Sequence, residues 1–131
     1  MTKPLFSCVT ILVLTLATSA AVQAQKWIED RYANVNGTKL HYMTAGTGDP
    51  VILLHGYAEN SHMWRPLIPE LAKTHTVIAP DLRGFGQSEK PNDGYTKKVM
   101  AQDIHALATS LGYRHEIIVG HTRLLLAMTL D

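Results

Sequence analysis

"VILLHG", residues 51–56, is the stretch on which the fold of this chain turns. Four consecutive apolar residues suit a strand buried on both faces. The His-Gly that follows ends the run where the backbone can approach another group closely. Two downstream runs, "HTVIAPDL" at 75–82 and "EIIVGH" at 116–121, repeat the pattern as further buried strands. Helical segments lie between them. "WRPLIPELAKT" sets Leu67, Ile68 and Leu71 at helical spacing, with Pro69 in the first turn. "KKVMAQDIHALATSLGY" carries Val99, Met100, Ile104, Leu107 and Leu111 as one apolar stripe, with Thr96 as cap and Gly112 as stop. Upstream, Asn36-Gly37 separates two runs rich in strand formers and predicts a hairpin. The sum is an α/β protein: a β-hairpin followed by a mostly parallel sheet with flanking helices. Ligands of such sheets bind outside the C-terminal strand ends, which here means "HGYAE", "PDLRGFGQSEKP" and "GHTRL".

Composition narrows the function. The chain has 131 residues, 46% hydrophobic and 18% charged, room for one ordinary globular domain. Its formal charge is +1 with acids and bases interspersed, so no nucleic-acid partner is expected. The first 24 residues stand apart. Lys3 precedes an apolar run from Leu5 to about Ala17, and small residues lead to Val22-Gln23-Ala24. That order predicts a secretory signal peptide over 1–24, leaving a domain over 25–131 that is exported to a bacterial periplasm or secreted. The apolar run is short of the roughly 20 residues a membrane helix needs, so no stable membrane span is expected after cleavage. Cys8 lies inside this segment, leaving no cysteine for a disulfide or a thiol nucleophile in the remainder. His41, His62, His75, His105 and His115 show no metal-ligand spacing, and neither metal nor cofactor is expected. "RGFGQS" lacks the third glycine of a dinucleotide fingerprint, so Asp81, Arg83 and Ser88 are read as bracing a turn. Trp64 is read either as pocket lining or as core.

These segments, in this order, resemble the α/β-hydrolase superfamily, most closely its epoxide hydrolase and dehalogenase-like branch. "VNGTKLHYMTAGTGDPVILLHGY", "HMWRPLIPELAKTHTVIAPDLRGFGQSEKP" and "YTKKVMAQDIHALATSLGYRHEIIVGH" carry the likeness over residues 31–121. The resemblance implies hydrolysis of an epoxide, carbon–halogen or ester bond in a small-molecule substrate. It implies a nucleophile on a strained strand-to-helix turn, flanked by small residues. It also implies an oxyanion hole built from backbone N–H groups, here those of Tyr57 and Arg123, with His55, Gly56, Gly120 and His121 as the supporting motif.

At that turn the sequence departs from the family pattern. Thr122 stands where the branch has Asp and esterases have Ser. A neutral hydroxyl is a weak nucleophile without an adjacent base, and its methyl group crowds the elbow. Leu124 replaces the second small residue, and "TRLLLAMTLD" is apolar nearly all round. The family's relay acid and histidine come from later strands. The reading is therefore an incomplete hydrolase domain, truncated or frame-shifted after His121 and catalytically impaired as written. The alternative is a non-enzymatic fragment or binding module. Arg123 directly after the nucleophile position is similar to fluoroacetate-dehalogenase-like members. By family topology the strand at 116–120 belongs mid-sheet; here it is expected to be an apolar edge that promotes self-association and marginal stability.

Overall fold

The computed structural model describes residues 27–120. The expected signal segment and the positions His121, Thr122, Arg123 and Leu124 lie outside the described residues.

Five strands form one sheet: β1 Glu29–Val35, β2 Thr38–Ala45, β3 Asp49–Leu54, β4 His75–Pro80 and β5 Ile117–Gly120, in the order β1-β2-β4-β3-β5. The expected hairpin is present. Asn36 and Gly37 both take positive φ, 48° and 73°, as a two-residue turn matching the strand twist requires. β1 pairs antiparallel with β2, and β2 antiparallel with β4, while β3 runs parallel to both β4 and β5. The sheet is thus parallel where crossovers connect it and antiparallel where the hairpin joins it. With the hairpin included the sheet is mixed, and the strands after the hairpin pair in parallel as expected.

Alternation along the strands makes two apolar faces. Leu40, Tyr42, Ile52, Leu54 and Ile78 point to one side, where Ile104, Leu107 and Ala108 of the helix α2, Lys97–Ser110, cover them. Met43, Ala45, Val51, Leu53, Val77 and Ala79 point to the other, packed by Ile68 and the half-buried Trp64 and Leu71. Val51 to Leu54 are at most 4% exposed, so β3 is buried on both faces as its uninterrupted apolar run anticipates. The α2 stripe is narrower than expected: Ile104 and Leu107 are fully buried, while Val99, Met100 and Leu111 are only half so. Thr96 caps it, its hydroxyl accepting the Val99 N–H.

The segment 64–74 corrects the expectation. A 3-10 turn at Ser61–Trp64 is followed by a helix α1 of only four residues, Ile68–Leu71. Pro66 and Pro69 supply no backbone donors, so the i to i−4 ladder cannot run through. Leu67 is consequently 38% exposed instead of sharing an apolar face with Ile68. No helix among the described residues is long and apolar enough to cross a membrane.

One buried ion pair ties the layers together. Arg83 donates through Nε and a terminal nitrogen to the two oxygens of Asp103 on α2, both at 2.6 Å, with side chains 7% and 1% exposed. Asn36 Nδ2 at the hairpin tip donates to the same carboxylate at 2.7 Å. Removing one partner of such a pair strands a buried charge, at about 3–5 kcal/mol. Arg83→Ala is expected to lower the folding free energy by about that amount, measured as a fall in urea midpoint at constant slope.

Candidate active site

The C-terminal ends of β3 and β5 leave the sheet side by side, because Leu54 pairs with Gly120. His55 and Gly56 follow directly on β3 and are buried. The His55 ring makes two hydrogen bonds. Nε2 accepts the Leu82 N–H at 2.9 Å, so the ring proton sits on Nδ1, which donates to Gly56 O at 2.9 Å. Phe85 packs edge-on against the ring, centroids 5.4 Å apart. His55 is therefore a latch joining the ends of β3 and β4.

That latch aims a neighbouring group. The carbonyl of Gly56 is drawn inward by the His55 ring and by the Glu59 N–H. In a trans peptide the N–H points opposite to the C=O, so the Tyr57 N–H faces away from the core. It has no hydrogen-bond acceptor among the described residues. The Tyr57 side chain is 90% exposed. Glu59 accepts the Gly56 N–H at 2.8 Å and closes the loop on itself. Ala58, a non-glycine residue, takes φ 61°, a left-handed conformation costing about 1–3 kcal/mol and common at functional sites. An outward N–H on such a loop is free to donate to an anion, and in hydrolytic sites one oxyanion donor is worth about 2.7–4 kcal/mol of transition-state stabilisation.

A second centre holds this loop from below. Asp81, 1% exposed, accepts the Ser61 N–H at 2.7 Å on one oxygen. Its other oxygen accepts the Gln87 N–H and His41 Nδ1, both at 2.8 Å. Ser88 Oγ donates to the Asp81 carbonyl and accepts the His41 N–H. A Cβ on Gly86 would collide with the Asp81 carboxylate, so this loop position must be glycine. Asp81, Arg83 and Ser88 thus brace the glycine-rich loop. Burial, the largest single influence on Asp81, acts to raise its carboxyl pKa. The hydrogen bonds from Gln87, Ser61 and His41 together outweigh it and hold the pKa below the ordinary 3.8.

Of the positions singled out in the sequence, the structure brings together His55, Gly56, Tyr57 and Gly120. His121, Thr122 and Arg123 follow Gly120 outside the described residues. The ring nitrogens of His55 and His41 are all taken by structural contacts, so neither ring serves as a base at the strand ends. Trp64 packs on the apolar cluster, and its buried Nε1 lacks an acceptor among the described residues. His105 is exposed on α2. Two contributors escaped the sequence reading, Glu59 and His41. Strand alternation puts His41 on the face of Met43 and Ala45, and a polar ring on an apolar face must find partners.

A mixed sheet with helices on both faces and a latched His-Gly loop at the strand ends is the arrangement of the α/β-hydrolase fold. The family model described as the alpha/beta hydrolase fold matches residues 49–122, more than half the chain, and the chain belongs to that family. It is 49% identical over 94 residues to the soluble epoxide hydrolase of Corynebacterium sp. (strain C12), covering 72% of this chain and 33% of that protein. It is 37% identical over 100 residues to a fluoroacetate dehalogenase of Burkholderia sp, again covering 72% and 33%. Among solved structures, the ligand-free epoxide hydrolase CorEH superposes with a TM-score of 0.70 at 49% identity, over 72% of this chain and 33% of that one. The epoxide hydrolase VrEH1 of Vigna radiata superposes with a TM-score of 0.74 at 37% identity, over 79% and 34%. The chain spans about a third of the length of these relatives.

Asp81 carries a pH signature. A carboxyl whose pKa is lower folded than unfolded stabilises fully above the unfolded value, near 3.9, and loses that contribution as pH falls through the folded value. Asp81→Asn is therefore expected to be less stable at neutral pH and to show a flatter decline below about pH 4. Urea midpoints measured across pH check both.

Proposed function

We propose that the chain forms the oxyanion-loop half of an α/β-hydrolase site acting on an epoxide, carbon–halogen or ester bond of a small molecule, and that with threonine at position 122 it is catalytically impaired. The observation that carries the first part is the outward Tyr57 N–H on its His55-latched loop, beside the end of β5. The relatives named for epoxide hydrolysis and for fluoroacetate dehalogenation support the first two of these bonds. The Arg123 N–H would be the second donor, at the residue after the nucleophile position. Impairment rests on the sequence at the elbow: Thr122 lacks the charge of Asp, and Leu124 stands where the family pattern has its second small residue. The purified chain is expected to hydrolyse p-nitrophenyl esters and a styrene-type epoxide no faster than buffer. Turnover that Thr122→Ala abolishes would overturn impairment and make Thr122 the nucleophile.

A second reading, a non-enzymatic module, is favoured by the bare edge of the sheet. Among the described residues β5 pairs with β3 alone, and Ile117 and Val119 are 55% and 41% exposed. Such an edge is a template for a further strand. In this reading the chain is exported, loses residues 1–24 and self-associates through β5. Native mass spectrometry of the chain recovered from a bacterial periplasm is expected to show oligomers of a species beginning at Gln25. A monomer retaining Met1 would refute both halves.

A further inference from the structure

We propose that His41 is a positioning residue that acts through Asp81 to hold the two loops framing the strand ends, and with them the Tyr57 donor. The last clause rests on the anion-pocket reading above. The rest stands on geometry alone.

His41 lies on β2, separated from β3 by β4 and level with the end of β4, and its side chain is fully buried. Three contacts fix the ring. Nε2 is 2.8 Å from Asp30 Oδ1 on β1, Nδ1 is 2.8 Å from Asp81 Oδ2, and Tyr32 packs on the ring at 5.2 Å and 56°. Its own backbone N–H is held by Ser88 Oγ. The groups facing it are therefore Asp30 and Tyr32 from β1 and Asp81 and Ser88 from the loop after β4.

Asp81 must present one oxygen to Ser61 and the other to Gln87. Ser61 begins the 3-10 turn that closes the loop carrying Gly56 and Tyr57, and Gln87 lies in the glycine-rich loop. A carboxylate side chain rotates about two torsions, and broad wells hold the outer one. The Nδ1 contact of a ring that cannot itself turn selects the orientation serving both amides. An apolar residue of similar size could fill the space but could not aim the carboxylate.

Two substitutions separate aiming from filling. The amide nitrogen of asparagine occupies nearly the place of Nδ1, and that of glutamine nearly the place of Nε2. His41→Asn keeps the bond to Asp81 and gives up Asp30; His41→Gln does the reverse. The readout is amide hydrogen exchange by NMR at Ser61 and Gln87, with Ile52 and Ile78 as references inside the sheet. His41→Gln is expected to speed exchange at Ser61 and Gln87 by at least about tenfold, the weight of one charge-assisted hydrogen bond, with the references unmoved. His41→Asn is expected to retain protection at both. Equal loss in the two variants, or loss spread equally to Ile52 and Ile78, would overturn the proposal.

Should both variants fail to fold, the unsubstituted chain decides. A long-range proton–nitrogen correlation that finds the His41 Nδ1 proton bonded and shielded from solvent supports the relay, and an Nδ1 without a proton refutes it. Tyr57 amide shifts on adding acetate test the anion pocket separately. Their absence would remove the pocket and leave the His41 result standing.

Discussion

A charge buried away from water is tolerated only when hydrogen bonds surround it, and the upper half of this structure is arranged around one such charge. Asp81 is held by two backbone amides and an imidazole. The donors come from β2, from the turn after the His-Gly loop and from the glycine-rich loop, three segments far apart in the chain. Leaving any of them unpaired would expose the desolvation penalty of the carboxylate, so the three are fixed as a set. Gly86 belongs to the same requirement, since only a residue without Cβ lets the backbone come that near.

The neighbouring Arg83–Asp103 pair works in another direction. Asp81 draws together the loops above the sheet, whereas Arg83 binds one of those loops to α2 and, through Asn36, to the hairpin tip. One short loop therefore carries an anion anchored upward and a cation anchored sideways. The His55 latch adds a neutral tie between β3 and β4. Each tie joins elements distant in the chain, and the Gly56–Tyr57 peptide is oriented by the His55 ring and the Glu59 N–H.

What could be read in the sequence follows from which forces are local. The hairpin was legible because Asn-Gly is a local solution to positive φ, and β3 because an uninterrupted apolar run has few other homes. The cap at Thr96 was legible for the same reason. Spacing failed at 64–74, where Leu67, Ile68 and Leu71 looked helical but two prolines removed the donors that would have joined the turns. The site divided likewise. His55, Gly56 and Tyr57 lie in one stretch and were visible by resemblance, while the role of His41 depends on Asp30 and Asp81, 11 and 40 residues away. Glu59 was missed although it lies only three residues from its partner, because its side chain folds back on a loop with no periodic pattern.

The strand order also sets a schedule for a chain emerging from the ribosome. β4 returns to seal one flank of β3 soon after it is made, but the other flank waits for β5, about 60 residues after β3 ends. At roughly 5–20 residues per second that interval is on the order of 3–12 s. Throughout it, a strand that ends up buried on both faces offers open amides and carbonyls along one flank. Until β5 is made, the nascent chain therefore carries an unpaired apolar edge open to pairing with another strand.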